Sequence, residues 1–222
     1  MSISLFEVIG PVMIGPSSSH TAGAARLGYI ARHVCCKGLI KRVDFYLHGS
    51  FAQTYRGHGT DKALLGGFLG LNPSDEGIRD SFQLAQEQGL AYAFETADLG
   101  NVHPNTVRIV VESEESSCEM IGSSVGGGKV LVTSINHMQI EFTGQYATII
   151  TEHLDRPGVV AHVSTLLSER KINIAFLKVF RQARGSAASM VIETDQEVDA
   201  DILEELRALN GMSKVLFVEM LH

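Results

Sequence analysis

Several residue types and patterns are scarce or missing in this sequence, and each absence excludes a class of protein. The chain has no tryptophan, only three cysteines in 222 residues, and 18 lysines and arginines against 25 aspartates and glutamates. The formal net charge of −7 argues against nucleic acid or an anionic membrane as the main partner. Since no run of about 18 apolar residues occurs, a transmembrane helix is excluded. The N-terminal segment lacks a basic region and carries Glu7, so we expect no signal peptide and a cytoplasmic location.

The few cysteines bear on metal binding and on redox state. Cys35, Cys36 and Cys118 do not show the C-x-x-C spacing of common zinc or iron–sulfur sites. In a cytosolic protein we expect all three to be reduced structural thiols. We therefore expect this chain by itself to hold no metal.

The densest group of chemically useful side chains lies at residues 15–21, Gly-Pro-Ser-Ser-Ser-His-Thr. Apolar residues then recur at the spacing of an amphipathic helix, at Leu27, Ile30, Ala31 and Val34. The motif would thus occupy the helix's first turn, where free N–H groups and the helix dipole favour a carboxylate or phosphate. The dipole would also disfavour a cationic His20 and leave it able to accept a proton. The alternative is a serine N-cap beside a surface histidine.

Two further segments place histidines among turn residues. In Gly-His-Gly-Thr-Asp, residues 57–61, the flanking glycines would let the backbone approach a ligand, and His58 is a candidate base. Asp61 would either orient a histidine or bind an ammonium group, and His58 could instead bond only to its own turn. His103 and Asn105 flank Pro104 before a predicted strand, where a structural role and substrate contact are both open.

The sequence does not match two motifs that are typical of cofactor binding. Residues 123–129 do not match a Walker A loop, because Gly122 comes one position too early and Val130 replaces the Ser or Thr, so nucleotide binding is disfavoured. Gly126-Gly127-Gly128 is therefore interpreted as a hairpin. Lys62 lacks the phosphate cup and pyridinium partner that a pyridoxal Schiff base needs.

The hydropathy pattern predicts an α+β chain of two domains. In residues 1–146, the first helix ends near Gly38 and a Gly- and His-rich loop covers 48–62. The predicted strands are 43–47, 106–112, 119–123, 129–135 and 139–143, and the helical runs are 63–69 and 75–88. In residues 147–222 the order is βαββαβ, the ferredoxin-like topology. Its strands are 147–152, 174–181, 188–194 and 215–221, and its helices begin near Val159 and Ile202.

Four motifs together resemble one family. They are Gly15–Thr21, Gly57–Asp61, His103–Thr106 and Ser124–Gly128, and they resemble the β chain of bacterial iron–sulfur-dependent L-serine dehydratase. The second domain resembles an ACT domain, a ligand-sensing module of amino-acid metabolism. The first also looks like the allosteric substrate-binding domain of some phosphoglycerate dehydrogenases. The resemblance implies an L-serine ammonia-lyase that makes pyruvate and ammonia, active only with a partner α chain. That chain would bind a [4Fe-4S] cluster, whose open iron acts as a Lewis acid.

The implied reaction suggests roles for particular residues. The candidate catalytic residues are His20, His58 and Asp61. The candidate substrate-binding residues are Ser17, Ser18, Ser19, Thr21, Thr60, His103 and Asn105. In the ACT-like domain an amino-acid or cation effector would meet Asp155, Pro157, Gly158 and Asn173, and either domain would mediate self-association. The alternative is a non-catalytic, regulatory amino-acid-binding subunit.

Overall fold

A computed structural model describes residues 13–35, 38–181 and 183–220. The chain divides between His137 and Met138 into two compact units. The predictions about the N-terminal segment, Cys36 and Leu221 lie outside the described residues. Within them, no helix is both long and apolar enough to cross a membrane.

The first unit is a mixed sheet with helices packed on it. A π-helical turn, Ser18–Ala22, leads into α1. The helices are α1 (Gly23–Cys35), α2 (Gly49–His58), α3 (Thr60–Phe68) and α4 (Ser81–Glu87), with a 3-10 turn at Glu76–Asp80. The strands are β1 (Ile40–Leu47), β2 (Ala91–Thr96), β3 (Thr106–Ser113), β4 (Ser117–Gly126) and β5 (Lys129–Ile135). In the order β2-β1-β3-β4-β5, only the β1–β2 pair is parallel among these strands.

Glycines let α1 lie unusually close to its neighbours. A Cβ added at Gly28 would come within 2.8 Å of the Phe68 nitrogen, and one at Gly67 within 2.6 Å of the Ala25 carbonyl carbon. Only a residue without a side chain fits between two helix backbones at such distances. Because α1 packs so closely on α3, the start of α1 lies near α2 and α3, the helices that include the Gly- and His-rich segment 48–62.

The predicted loop at 48–62 is wrong, because this segment forms α2 and α3. Gly59, with φ +70°, ends α2 and immediately starts α3, a conformation that favours glycine. Phe51 is fully buried, and the amide of Ser50 donates to the carbonyl of Pro104 at 2.8 Å. Both stabilising contacts come from distant parts of the chain, so local composition did not indicate them.

Other elements of this unit follow the predictions with two differences. The strands and the hairpin at Gly126–Gly128 are confirmed, but the run at 75–88 divides into the 3-10 turn and α4. Strand β2 had not been predicted. It lies at the edge of the sheet, with Phe94 stacked on Phe45 at a ring distance of 4.8 Å.

The expectation of reduced thiols is contradicted for two cysteines. Cys35 and Cys118 form a disulfide, with their Cα atoms 5.2 Å apart. The last turn of α1 packs over β4 and so brings the two residues within the range that a disulfide requires. The bond joins α1 to β4 at the end away from the Ser- and His-rich turn.

The second unit confirms the ferredoxin-like βαββαβ order, and the α+β class with it. After β6 (Met138–Phe142) come β7 (Ala147–Leu154), α5 (Val159–Glu169), β8 (Ile174–Arg181), β9 (Ala187–Thr194), α6 (Ala200–Ala208) and β10 (Met212–Val218). The antiparallel sheet has the order β10-β7-β9-β8. Both helices cover one face, where Ile149, Val163 and Leu206 are fully buried. The domain boundary at 146/147 stays a prediction, since the units divide before β6.

Candidate active site

The Ser- and His-rich motif forms the π-helical turn and its N-cap. Ser17 is the N-cap, and its Oγ accepts a hydrogen bond from the His20 amide at 3.3 Å. Ser18 and Ser19 are half-buried in the turn, while Thr21 is 2% exposed. The turn packs against α2, α3 and β4. The N-cap role of Ser17 therefore coexists with a site at which several elements meet.

His20 lies in contact with α2. Its Nε2 is 3.1 Å from Oγ of Ser50, its Nδ1 is 3.3 Å from Oγ of Ser17, and the residue is 9% exposed. Burial lowers the pKa of His20, and the neighbouring charge of His58 lowers it further, against a smaller opposing effect of Ser50. A ring with a lowered pKa is neutral at neutral pH and can accept a proton.

The second predicted histidine lies against the first. The ring centroids of His20 and His58 are 4.7 Å apart in an edge-to-face arrangement. Ser50 and His58 lie on one face of α2, since they are eight residues, or about two helical turns, apart. Nδ1 of His58 is buried and has no hydrogen-bond partner among the described residues. The structure thus brings together the two histidines proposed as bases and leaves one ring nitrogen free.

Strand β4 closes the site from the other side. A Cβ on Gly23 would lie 2.7 Å from Cβ of Ser124, so the start of α1 rests directly on this serine. Ser124 is fully buried, and its Oγ has no partner among the described residues. Oγ1 of Thr21 and Oγ1 of Thr60 are likewise buried without a partner there, and so is Oγ of Ser81 at the start of α4. Unsatisfied buried hydroxyls are costly, which is typical of a position that a ligand occupies.

The segment 103–106 stands beside Ser124 and the start of α2. The Asn105 carbonyl accepts from the Ser124 amide at 2.9 Å, and Thr106 Oγ1 lies 2.7 Å from Ser123 Oγ. Nδ1 of the exposed His103 accepts from the Asn105 amide at 3.1 Å, which is a structural role within the turn. The buried Oδ1 of Asn105 has no partner among the described residues and remains available to a ligand.

Asp61 and Thr60 lie at the start of α3. Burial raises the pKa of Asp61, although hydrogen bonding to its carboxylate partly offsets this effect. Its Oδ1 accepts from the Lys62 amide at 2.8 Å, so this oxygen is bound to the backbone of the first turn of α3. Nζ of Lys62 donates to the Arg79 carbonyl at 2.8 Å. The predicted role of Asp61 toward a histidine or an ammonium group therefore rests on its other oxygen.

Sequence reasoning missed two residues of this site. The composition of 48–62 predicts a loop and does not single out Ser50, because only the helical conformation of α2 turns this residue toward His20. Ser124 belongs to the motif Ser124–Gly128, but nothing local to the motif indicates that its hydroxyl is buried beside Gly23. The burial of this hydroxyl is visible only in the folded chain.

The predicted effector site of the second unit is not assembled within one chain. Gly158 precedes α5, whereas Asn173 follows its C-terminal end, and a helix of 11 residues spans about 16 Å. The expectation that both reach one pocket is therefore corrected. Oδ2 of Asp155 accepts from the Gly185 amide at 3.0 Å, which lowers the pKa of Asp155, and also pairs with Arg181.

Pro157 and Asn173 are both exposed. Asn173 lies in a cavity of about 410 Å³ lined otherwise by Ser164, Ser168, Lys171, Ile172 and Ile174. Asp155, Pro157 and Gly158 do not line this cavity. The two groups of residues are thus separate candidates for effector contact.

No set of side chains for a metal ion is present in the described part of the chain. No group of three or more His, Cys, Asp or Glu residues is close enough there to hold one. Cys35 and Cys118 are bonded to each other and are not available as thiolate ligands. The donor set of the described residues therefore does not fit an iron–sulfur cluster.

Comparisons with known proteins match this chain over almost its whole length. The "Serine dehydratase beta chain" family model matches residues 4–88, and the ACT domain model matches 147–211. A probable L-serine dehydratase β chain of Bacillus subtilis (strain 168) is 42% identical over 212 residues, with 96% of each chain covered. The L-serine dehydratase β chain of Peptoniphilus asaccharolyticus is 41% identical over 219 residues, with 98% of each covered.

A more distant similarity concerns a different enzyme. A D-3-phosphoglycerate dehydrogenase of Bacillus subtilis (strain 168) is 23% identical over 200 residues. The match covers 89% of this chain but only 37% of that dehydrogenase. This chain is thus similar to one part of a longer protein.

Proposed function

The chain belongs to the serine dehydratase β-chain family, and we propose that it completes the active site of an L-serine ammonia-lyase with an α chain. L-Serine loses its α-proton and its hydroxyl group as water and becomes 2-aminoacrylate. This enamine tautomerises to an imine, to which water adds, so that ammonia leaves and pyruvate forms. The protein must supply a base for the weakly acidic α-proton and must hold the charged groups of the substrate.

The histidine pair carries this proposal. His20 and His58 are in ring contact, the pKa of His20 is lowered by burial, and Nδ1 of His58 is buried without a partner among the described residues. A neutral imidazole can take the α-proton, and a second imidazole in contact with it can pass the proton on. Ser17 and Ser50 hold the His20 ring in place through its two nitrogens.

The surrounding polar groups suit an amino acid. The hydroxyls of Thr21, in the turn before α1, and of Ser124, on β4 beside Gly23, have no partners in the described residues. The helix dipole favours a carboxylate at this end of α1. Ser18, Ser19 and Thr60 add hydroxyls to the same turn and to the start of α3. Oδ1 of Asn105 is an acceptor suited to the substrate ammonium.

The cofactor belongs to the proposed partner. A [4Fe-4S] cluster on the α chain would supply a Lewis acid for the departing hydroxyl. The described residues of this chain do not fit such a cluster, so their part is to position the substrate and to move its proton. The second unit would then bind an amino-acid or cation effector or mediate self-association in the cytoplasm.

Reconstitution tests the proposal directly. Pyruvate formation from L-serine is measured anaerobically with iron-reconstituted α chain, with and without this chain. We expect turnover only with both chains, and a loss of about 10²- to 10⁴-fold for His20→Ala and for His58→Ala in assembled complexes. His33→Ala is the matched control, because His33 is exposed on α1 and bonds to the Tyr29 carbonyl. Wild-type turnover in both test variants would contradict a catalytic role.

One observation favours a second candidate function. The similarity to part of a phosphoglycerate dehydrogenase spans most of this chain, which suits a regulatory amino-acid-binding subunit without catalytic side chains. In that case the α chain alone would turn over L-serine. Adding this chain would then change only the half-saturation concentration or the assembly state.

A further inference from the structure

The surroundings of Arg26 differ from those of the arginines that form ion pairs. Five other arginines form ion pairs with carboxylates: Arg42, Arg108, Arg170, Arg181 and Arg207. The half-buried Arg26 pairs with no acidic side chain in the described part of the chain. Its Nη1 donates to the Gly128 carbonyl at 2.8 Å, while its Nε is buried with no partner there.

A partly buried guanidinium without an anion is unfavourable. Burial lowers the pKa of Arg26, which shows the cost of removing its charge from water. This cost is recovered when a carboxylate accepts hydrogen bonds from the guanidinium, whose planar set of donors matches two carboxylate oxygens. The bond to Gly128 holds the side chain in one place and uses only one of its five N–H groups.

The position of Arg26 connects it with the candidate active site. It follows Gly23 by three residues and so lies on the same face of α1, the face that rests on Ser124. Gly128 belongs to the hairpin that directly follows Ser124. Side chains on a helix lean toward its N-terminus, which here is the turn that carries His20 and Thr21.

We propose that Arg26 binds the carboxylate of L-serine, together with the donors at the start of α1. This inference rests on the proposed function and adds to it a residue that determines specificity for an amino-acid carboxylate. Because such a contact is made equally in the ground state and in the transition state, its loss raises KM and leaves kcat nearly unchanged.

The test uses the assembled complex of α chain and this chain. We expect Arg26→Gln to raise KM for L-serine by about 10- to 100-fold with kcat within about threefold. Arg26→Lys, which keeps the charge but loses the planar donor set, should raise KM by a smaller factor. Inhibition by L-serinamide, which has no carboxylate, should be the same in all complexes. Arg32→Gln is the control, because Arg32 also lies on α1 and donates to a backbone carbonyl, that of Phe68.

The experiment distinguishes failure of the Arg26 inference from failure of the proposed function. A KM within twofold of wild type for Arg26→Gln overturns the inference and leaves the proposed function standing. Loss of α-chain binding on size-exclusion chromatography, with KM unchanged in the complexes that remain, assigns the anion to the partner and also overturns it. If Arg26→Gln does not fold, the KM of Arg26→Lys decides. A wild-type complex without any turnover would refute the proposed function and this inference together.

Discussion

Replacing Gly23 by alanine would test how directly α1 rests on β4 at the candidate active site. The new Cβ would lie 2.7 Å from Cβ of Ser124, whereas two carbons are best separated by about 3.5 to 4.0 Å. Rotation of the Ser124 hydroxyl does not relieve this overlap, because the Cβ moves only with the backbone. Overpacking of this kind costs about 1 to 3 kcal/mol.

A second substitution separates the overlap from other effects of alanine. Alanine in place of a helical glycine stabilises by up to about 1 kcal/mol, so Gly23→Ala alone should destabilise by roughly 0 to 2 kcal/mol. Ser124→Gly removes both the Cβ and the Oγ with which the alanine collides. In a double-mutant cycle the helix-propensity gain cancels, and the coupling between the two positions should be about 1 to 3 kcal/mol.

The cycle is measured by thermal or urea unfolding of the four proteins. Gly23→Ala with Ser124→Gly should be more stable than expected from the sum of the single variants, while serine turnover stays low because the Ser124 hydroxyl is absent. A coupling below about 0.5 kcal/mol would refute the reasoning, since independent sites add within that margin. It would mean that α1 and β4 are not in direct contact at Gly23.

Three further predictions concern the histidines, the disulfide and a glycine. Since the charge of His58 adds to burial in lowering the pKa of His20, His58→Gln should raise the pKa of His20. The titration of the His20 ring is followed by NMR, and a midpoint that moves to lower pH, or does not move, would contradict this. Cys118→Ser should lower the free energy of unfolding by about 2 to 4 kcal/mol, because the Cys35–Cys118 bond closes a loop with a sequence separation of 83. Dithiothreitol should destabilise the wild type similarly and leave Cys118→Ser unaffected; equal sensitivity of both in urea unfolding would count against the bond. Gly57→Ala should stabilise by about 0.5 kcal/mol in the same assay, since the residue is exposed in α2 with open space around it, and destabilisation would show a hidden contact.

Local patterns in the sequence determined much of the architecture. The spacing of Leu27, Ile30 and Val34 indicated α1, and the hydropathy of 147–222 indicated the βαββαβ order. Periodicity is a property of neighbouring residues, so helices and strands that bury one face can be recognised without knowledge of the partner. The residue types of the candidate site, hydroxyls and imidazoles near a helix start, were visible for the same reason.

The tertiary structure alone decided which of these groups meet. His20 comes from the turn before α1, His58 from the end of α2 and Ser124 from β4. Their distances depend on how closely α1 packs on β4 at Gly23 and on α3 at Gly28. The helical state of 49–58 depends on the burial of Phe51 and on a carbonyl of a remote turn, and the Cys35–Cys118 bond on the packing of α1 over β4. Local propensity reports a preference of a few tenths of a kcal/mol per residue, whereas burial and hydrogen bonding to distant residues contribute more and prevail where the two conflict.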